Sequence, residues 1–237
     1  MLNLYITSPE KGEGKTYITA GLAAVMQSLG YKTAVYKPIQ LGGIDKKGFM
    51  QSPDLTFVKQ LDPYIETHFT YLFTSQDNPL SASEAEGVSI DIDYIFKDAK
   101  KFAVTSDCII LDGEGGILTP IAPSTCNIDL INKLMTPVLF TVTPNENSIN
   151  NILTSIYTAE SKGVKVNGVI INNIKSEDDN KRLTVLIRII EEYSDAKVLG
   201  MVPNLGNNIK PEDLITGILN GVDVESVFGV KIAKLDL

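Results

Sequence analysis

The chain has 237 residues, 43% of them hydrophobic, which suits one large α/β domain over 1–237 with an ample core. A formal net charge of -8 at pH 7, with no block of Lys or Arg, argues against a nucleic-acid surface, which needs clustered cations. Cys108 and Cys126 lack CxxC spacing and the only histidine, His68, has no second imidazole. No transition-metal centre is therefore indicated, and a reduced, cytoplasmic setting is expected.

In chain order, the opening "MLNLYITS" lacks a basic leader and a small-residue cleavage site and reads as a strand. No apolar run reaches the ~18 residues of a membrane span, so no membrane partner is expected. Then comes "SPEKGEGKT", Ser8 to Thr16, followed by Ile18, Leu22, Val25, Met26 and Leu29 at helical spacing and a stop at Gly30. A Gly-rich turn between strand and helix can cradle phosphate with backbone N–H groups and the helix dipole. Gly12 and Gly14 allow close approach, Lys15 would neutralise the outer phosphates, and the Thr16 hydroxyl would ligate Mg2+.

The next strand, "KTAVYK", brings Lys37 to the same edge, with Pro38 behind it. A second cation beside the phosphates suits a reaction that builds negative charge. Leu41 to Ser89 is punctuated by Gly, Asp, Asn and Pro, and we expect an excursion over the ligand edge. Within it Asp54, in "QSPDLTFV", suits a Mg2+ carboxylate and equally a helix N-cap. "DCIILDGEGG" ends a strand in Asp112, a position for a Mg2+ carboxylate in phosphoryl transfer, and Glu114 two residues on either assists it or faces water. "PVLFTV", "VNGVII" and "KVLGMV" complete the strands. After them come Asn172 and Asn173, then Pro203, Asn204 and Leu205; the asparagine amides suit an adenine edge, although asparagines after strands also form turns. The βα alternation predicts a doubly wound, mainly parallel sheet with helices on both faces and ligands at the carboxyl ends of the strands, and the glycine-rich turn ending in GKT after the first strand suits a phosphate-loop NTPase type. The stretch from Gly221 to Leu237 is either a strap on the body or a partner segment.

With these motifs in order, the chain resembles the dethiobiotin synthetase family, in the phosphate-loop group that includes the Min and Par partition ATPases. The family loop, roughly GTDTxVGKT, aligns its first Gly with Ser8 and its end with Gly14, Lys15 and Thr16; Glu13 and Lys11 fall within it. "YKPV" matches Tyr36 to Ile39, and "EGAGG" with its later "TP" matches "DGEGG" with Thr119 and Pro120. The helix opening "GxINH" matches Asn147 to Asn151, and the adenine-binding Asn and Pro-x-Leu match Asn172 and Pro203 to Leu205.

The resemblance implies a homodimer that converts diaminopelargonate, CO2 and ATP to dethiobiotin, ADP and phosphate. It implies that Lys15 and Lys37 neutralise carbamate and γ-phosphate, and that Thr16, Asp54 and Asp112 hold Mg2+. It also implies that Lys37, Leu41, Asn147, Ser148, Ile149 and Asn150 meet the substrate, the helix start receiving its carboxylate across the dimer. Several positions depart from the family pattern. Lys11 replaces threonine, Leu41 a small hydroxyl residue, Asp112 glutamate, Glu114 alanine, Asn147 glycine and Asn151 histidine. A nucleotide-binding switch on the same fold, or a related carboxylate-activating ligase with a different substrate, is the competing expectation. A corrin amidotransferase would need a glutaminase with a Cys and His arrangement, and a partition ATPase would need its signature lysine where Glu10 stands.

Overall fold

A computed structural model of the chain describes residues 2–144, 148–175, 180–206 and 209–232. Strand β1 (Leu2–Thr7) leads through the phosphate loop into α1 (Lys15–Ser28), and β2 (Thr33–Gln40) follows. A small hairpin, β3 (Ile44–Lys46) and β4 (Phe49–Gln51), precedes α2 (Pro53–Leu61), β5 (Glu66–Leu72), α3 (Pro79–Glu86) and α4 (Ile92–Ala103). Then come β6 (Cys108–Asp112), a second hairpin of β7 (Pro120–Ala122) and β8 (Thr125–Cys126), α5 (Asn127–Leu134), β9 (Val138–Val142) and α6 (Ile149–Ser161). The chain continues with β10 (Val166–Ile174), α7 (Asn180–Tyr193), β11 (Val198–Pro203), α8 (Pro211–Gly221) and α9 (Val224–Phe228).

The expected doubly wound sheet is present. Seven strands lie in the order β11-β10-β9-β1-β6-β2-β5, and their pairings are parallel. Strands β2, β6 and β9 are buried at every position, the signature of a sheet covered on both faces. One layer packs α1, α2, α8 and α9 on Leu4, Ile6, Val35 and Ile110; the other packs α4 to α7 on Tyr5, Tyr36, Leu111 and Phe140. Alternate residues of the same strands therefore feed opposite cores.

Two segments differ from, or sharpen, the sequence expectation. The Leu41 to Ser89 stretch is an excursion only in part, because Glu66–Leu72 pairs with β2 as an edge strand of the main sheet. Its residues are all half-buried and mix polar with apolar types, so it lacks the continuous apolar run that marks the interior strands. The stretch after Gly221 is a strap as far as Ile232. Val224, Val227, Phe228 and Ile232 are buried, and the Asn167 amide donates to the Val227 carbonyl at 2.9 Å.

Helix α8 reaches this core by close approach to α1. A Cβ on Gly21 would lie 2.7 Å from Ile218 Cγ1 and 3.2 Å from Leu214 Cγ. Gly21→Val should therefore overpack the α1–α8 contact and cost about 1–3 kcal/mol of stability, read as a lower urea midpoint with an unchanged slope.

Candidate active site

The parallel register aligns the strand tips that carry the chemistry. Ile6 lies beside Asp112 across β1 and β6, and Tyr36 beside Leu111 across β2 and β6. The phosphate loop, Lys37 and Asp112 thus emerge together at the carboxyl edge, where ligands of such sheets bind.

The loop enters α1 through Gly14, which serves as N-cap at φ 80° without a side-chain cap. Its first-turn N–H groups are left available for an anion. Gly12 is also left-handed, at φ 89°. Glu13 turns its side chain away from the loop to accept from the Thr143 N–H, and burial raises its carboxyl above the usual range. Its carbonyl accepts from Thr141 Oγ1 and Asn172 Nδ2, each at 3.2 Å, which ties the loop to β9 and β10.

Lys15 is buried and donates to Ser8 Oγ at 2.9 Å, so the residue at the family's first glycine position is the anchor of the loop lysine. Burial holds the Lys15 ammonium below the usual lysine range, and the neighbouring Lys37 charge adds to this. Lys37 is 2% exposed. Its ammonium meets Asp54 at 2.6 Å, Asp112 at 3.0 Å and Glu114 at 3.4 Å. Burial alone would lower its pKa, but Asp112, Glu114 and Asp54 overturn that and hold it well above the usual range. Asp112 also accepts from Thr16 at 3.1 Å and from Thr19 at 3.3 Å, and its burial raises the carboxyl against the pull of Lys37.

The two readings of Asp54 separate cleanly. Ser52 caps α2 by accepting from the Leu55 N–H at 3.1 Å, which leaves the Asp54 carboxylate to Lys37 and to Gln40 Nε2 at 3.3 Å. Gln40 is buried and also accepts from Ser52, so it clamps the head of α2 to the end of β2. No residue-type pattern in the sequence singles it out. The same holds for Asn127, which donates to the carbonyls of Glu114 at 2.5 Å and Gly116 at 2.8 Å.

These groups surround a cleft of about 480 Å³. Lys11, Gly12, Gly14, Lys15 and Thr16 form one wall, Lys37, Asp54 and Glu114 the floor, and Leu41, Pro53 and Phe57 an apolar side. Lys11 reaches across the rim to the Gln76 carbonyl at 2.9 Å. A second cleft of about 300 Å³ adjoins it through Gly12, Gly14 and Tyr17, and is lined by Asn172, Pro203, Asn204 and Leu205. The residues expected to meet phosphate and those expected to meet a base therefore line adjoining clefts. Asn204 is oriented by donating to Asn173 Oδ1 at 2.5 Å, with Asn173 held at φ 61°.

Ser148, Ile149 and Asn150 do not line either cleft. They open α6 beside the loop, where Asn151 Nδ2 donates to the Glu10 carboxylate. Asn147 lies outside the described residues. Among the described residues no three His, Cys, Asp or Glu side chains stand as a preformed metal cage, and the three carboxylates of the cleft contact an ammonium. No helix among them is long and apolar enough to cross a membrane.

A model of a family described as an AAA domain matches residues 2–212. The ATP-dependent dethiobiotin synthetase BioD of Anoxybacillus flavithermus is 27% identical over 209 residues, covering 87% of this chain and 94% of its own. The resemblance drawn from the motifs is thereby borne out. Among solved structures, the MinC:MinD cell division complex of Aquifex aeolicus matches with a TM-score of 0.56 at 19% identity, covering 98% of both chains. The septum site-determining protein MinD of Pyrococcus horikoshii, complexed with Mg-ADP, matches with a TM-score of 0.53 at 13% identity, covering 91% of this chain and 86% of its own. At these identities the structural likeness concerns the fold.

Proposed function

The chain belongs to the AAA domain family, and from that premise and the charge arrangement of the cleft we propose that it is an ATP- and Mg2+-dependent ligase that closes diaminopelargonate and CO2 into dethiobiotin. It would act as one domain over 1–237, as a cytoplasmic homodimer. The observation that carries the reading is the convergence of Lys15, Lys37 and three carboxylates under a glycine-rich loop.

Phosphoryl transfer asks little covalent chemistry of a protein and depends on positioning and charge neutralisation. ATP would place its phosphates along Gly12, Glu13, Gly14, Lys15 and Thr16, with Lys11 at the rim and the base beside Asn172, Pro203, Asn204 and Leu205. One substrate amine combines with CO2 to give a carbamate and a proton. A carbamate oxygen attacks the γ-phosphorus, the bond to the β-phosphate oxygen breaks, and ADP leaves. The second amine then attacks the carbamoyl carbon and gives up a proton, phosphate departs, and the ureido ring is closed. Lys15 and Lys37 would stabilise the negative charge of carbamate and γ-phosphate. Leu41 would bound the substrate, and Asn147, Ser148, Ile149 and Asn150 would meet its carboxylate from the other protomer.

The donor set fits Mg2+. Thr16, Asp54 and Asp112 offer oxygen alone, and Asp54 and Asp112 both reach one point, marked by the Lys37 ammonium. When bound, the metal would neutralise charge on the phosphates. With three carboxylates on one ammonium, a triphosphate would enter more readily with such a cation than alone.

The test is phosphate release from Mg-ATP with and without diaminopelargonate and bicarbonate, with the product followed by mass spectrometry. Substrate-dependent phosphate with matching dethiobiotin is expected. ATP binding without any substrate-stimulated release would sink the ligase reading and leave a nucleotide-binding switch.

A further inference from the structure

Three carboxylates share the Lys37 ammonium, yet under the reading above, on which this inference rests, only two of them have a second task. Asp54 and Asp112 are the proposed Mg2+ ligands, and both are engaged by Lys37, at 2.6 and 3.0 Å. A cation entering between them has to take its oxygens from Lys37. An ammonium that is 2% exposed cannot simply be released to solvent, and leaving it buried without a counter-charge is strongly disfavoured.

Glu114 is not among the proposed Mg2+ ligands and reaches the same ammonium at 3.4 Å. Its placement is built in. Asn127, 1% exposed at the head of α5, donates to the Glu114 carbonyl at 2.5 Å and to the Gly116 carbonyl at 2.8 Å. Gly116 itself sits so close to the phosphate loop that a Cβ there would lie 2.8 Å from the Pro9 carbonyl oxygen. The segment cannot carry Glu114 out of the cleft without undoing these contacts.

We propose that Glu114 is a positioning residue that takes over the Lys37 ammonium when a divalent cation claims Asp54 and Asp112. Metal entry and presentation of Lys37 to the phosphates then become a single exchange of cations over three carboxylates. The resembled motif has alanine at this position, so the exchange is a property of this chain's own "DGEGG". Charge bookkeeping supports it: after the exchange the metal keeps two carboxylates and the ammonium keeps one, and neither cation is stranded.

The experiment measures binding of a fluorescent ADP analogue to the full chain as Mg2+ is titrated, for wild type, Glu114→Gln, Lys37→Met and the double variant. Glu114→Gln should raise the Mg2+ concentration for half-saturation by about ten-fold, as expected for loss of one coupled contact. Lys37→Met should lower it, because no ammonium remains to be displaced. In the Lys37→Met background Glu114→Gln should shift it by less than about two-fold, since additivity fails only for groups that act through each other. The same ten-fold shift in both backgrounds would mean that Glu114 acts on the metal directly and would overturn the proposal. ADP binding that ignores Mg2+ would overturn the exchange while leaving the phosphate loop in place, whereas no ADP binding at all would overturn the functional reading as well.

Discussion

Lys37→Met is expected to abolish dethiobiotin formation, by about 10³-fold or more, while ADP still binds. The ammonium is the floor of the cleft and the only cation in contact with all three of Asp54, Asp112 and Glu114 among the described residues. Methionine keeps much of the length and the apolar stem but none of the charge, so the loss falls on the transferring group and not on the shape of the cleft. The same variant should lose about 3–5 kcal/mol of stability, the usual cost of stripping one partner from a buried ion cluster. That loss carries a pH signature. Burial already raises the Asp112 carboxyl in the presence of Lys37, and removing the ammonium removes the largest effect that opposes the rise. A carboxyl whose folded pKa lies above its unfolded value binds its proton more tightly when folded, so stability falls as pH climbs between the two values. The variant should therefore be closer to wild type at about pH 5 than at about pH 8 in urea melts. A deficit independent of pH would mean that Asp112 finds another cation, and unchanged product formation would remove Lys37 from the chemistry.

What the sequence made legible follows from how strongly each feature is dictated locally. Interior strands such as Cys108–Asp112 and Val138–Val142 announce themselves, because burial on both faces demands unbroken apolar runs. The edge strand Glu66–Leu72 does not, since half-burial tolerates Glu, Thr and His within it. The strand tips follow once the sheet is parallel, and so Lys15, Lys37 and Asp112 could be assigned to one edge from their motifs alone. What could not be read is partnership across long sequence separations. Ser8 anchors Lys15, Gln40 clamps Asp54, and Asn127 fixes the loop that carries Glu114; each is an ordinary polar residue whose role exists only after folding. The N-cap alternative at Asp54 was undecidable for the same reason. Ser and Asp both suit a cap, and the choice of Ser52 depends on Lys37 and Gln40 arriving from β2 to claim the carboxylate.

Gly14→Ala should weaken ADP binding by about 100-fold or more, equivalent to about 2.7 kcal/mol, and the neighbouring Gly12→Ala by distinctly less. Both glycines are left-handed, at φ 80° and 89°, so each alanine bears a backbone penalty of roughly 1–2 kcal/mol. Their surroundings differ. A Cβ at Gly12 meets nothing within 4 Å, whereas one at Gly14 would lie 2.0 Å from Asn172 Nδ2. Asn172 is buried and its amide is committed to the Glu13 carbonyl, so it cannot yield without releasing the loop from β10. Because Asn172 also lines the base-side cleft, that single clash disturbs both halves of the expected nucleotide site. A Gly14→Ala/Asn172→Ala double variant separates the two causes. Asn172→Ala alone removes the tie to Glu13 and the base-side amide, so the comparison is a double-mutant cycle: Gly14→Ala should cost clearly less ADP affinity in the Asn172→Ala background than in wild type, because the clash is gone and only the strain is left. If Gly14→Ala costs the same in both backgrounds, the left-handed backbone at the helix entrance is the whole effect, and the clash with Asn172 has no part in it.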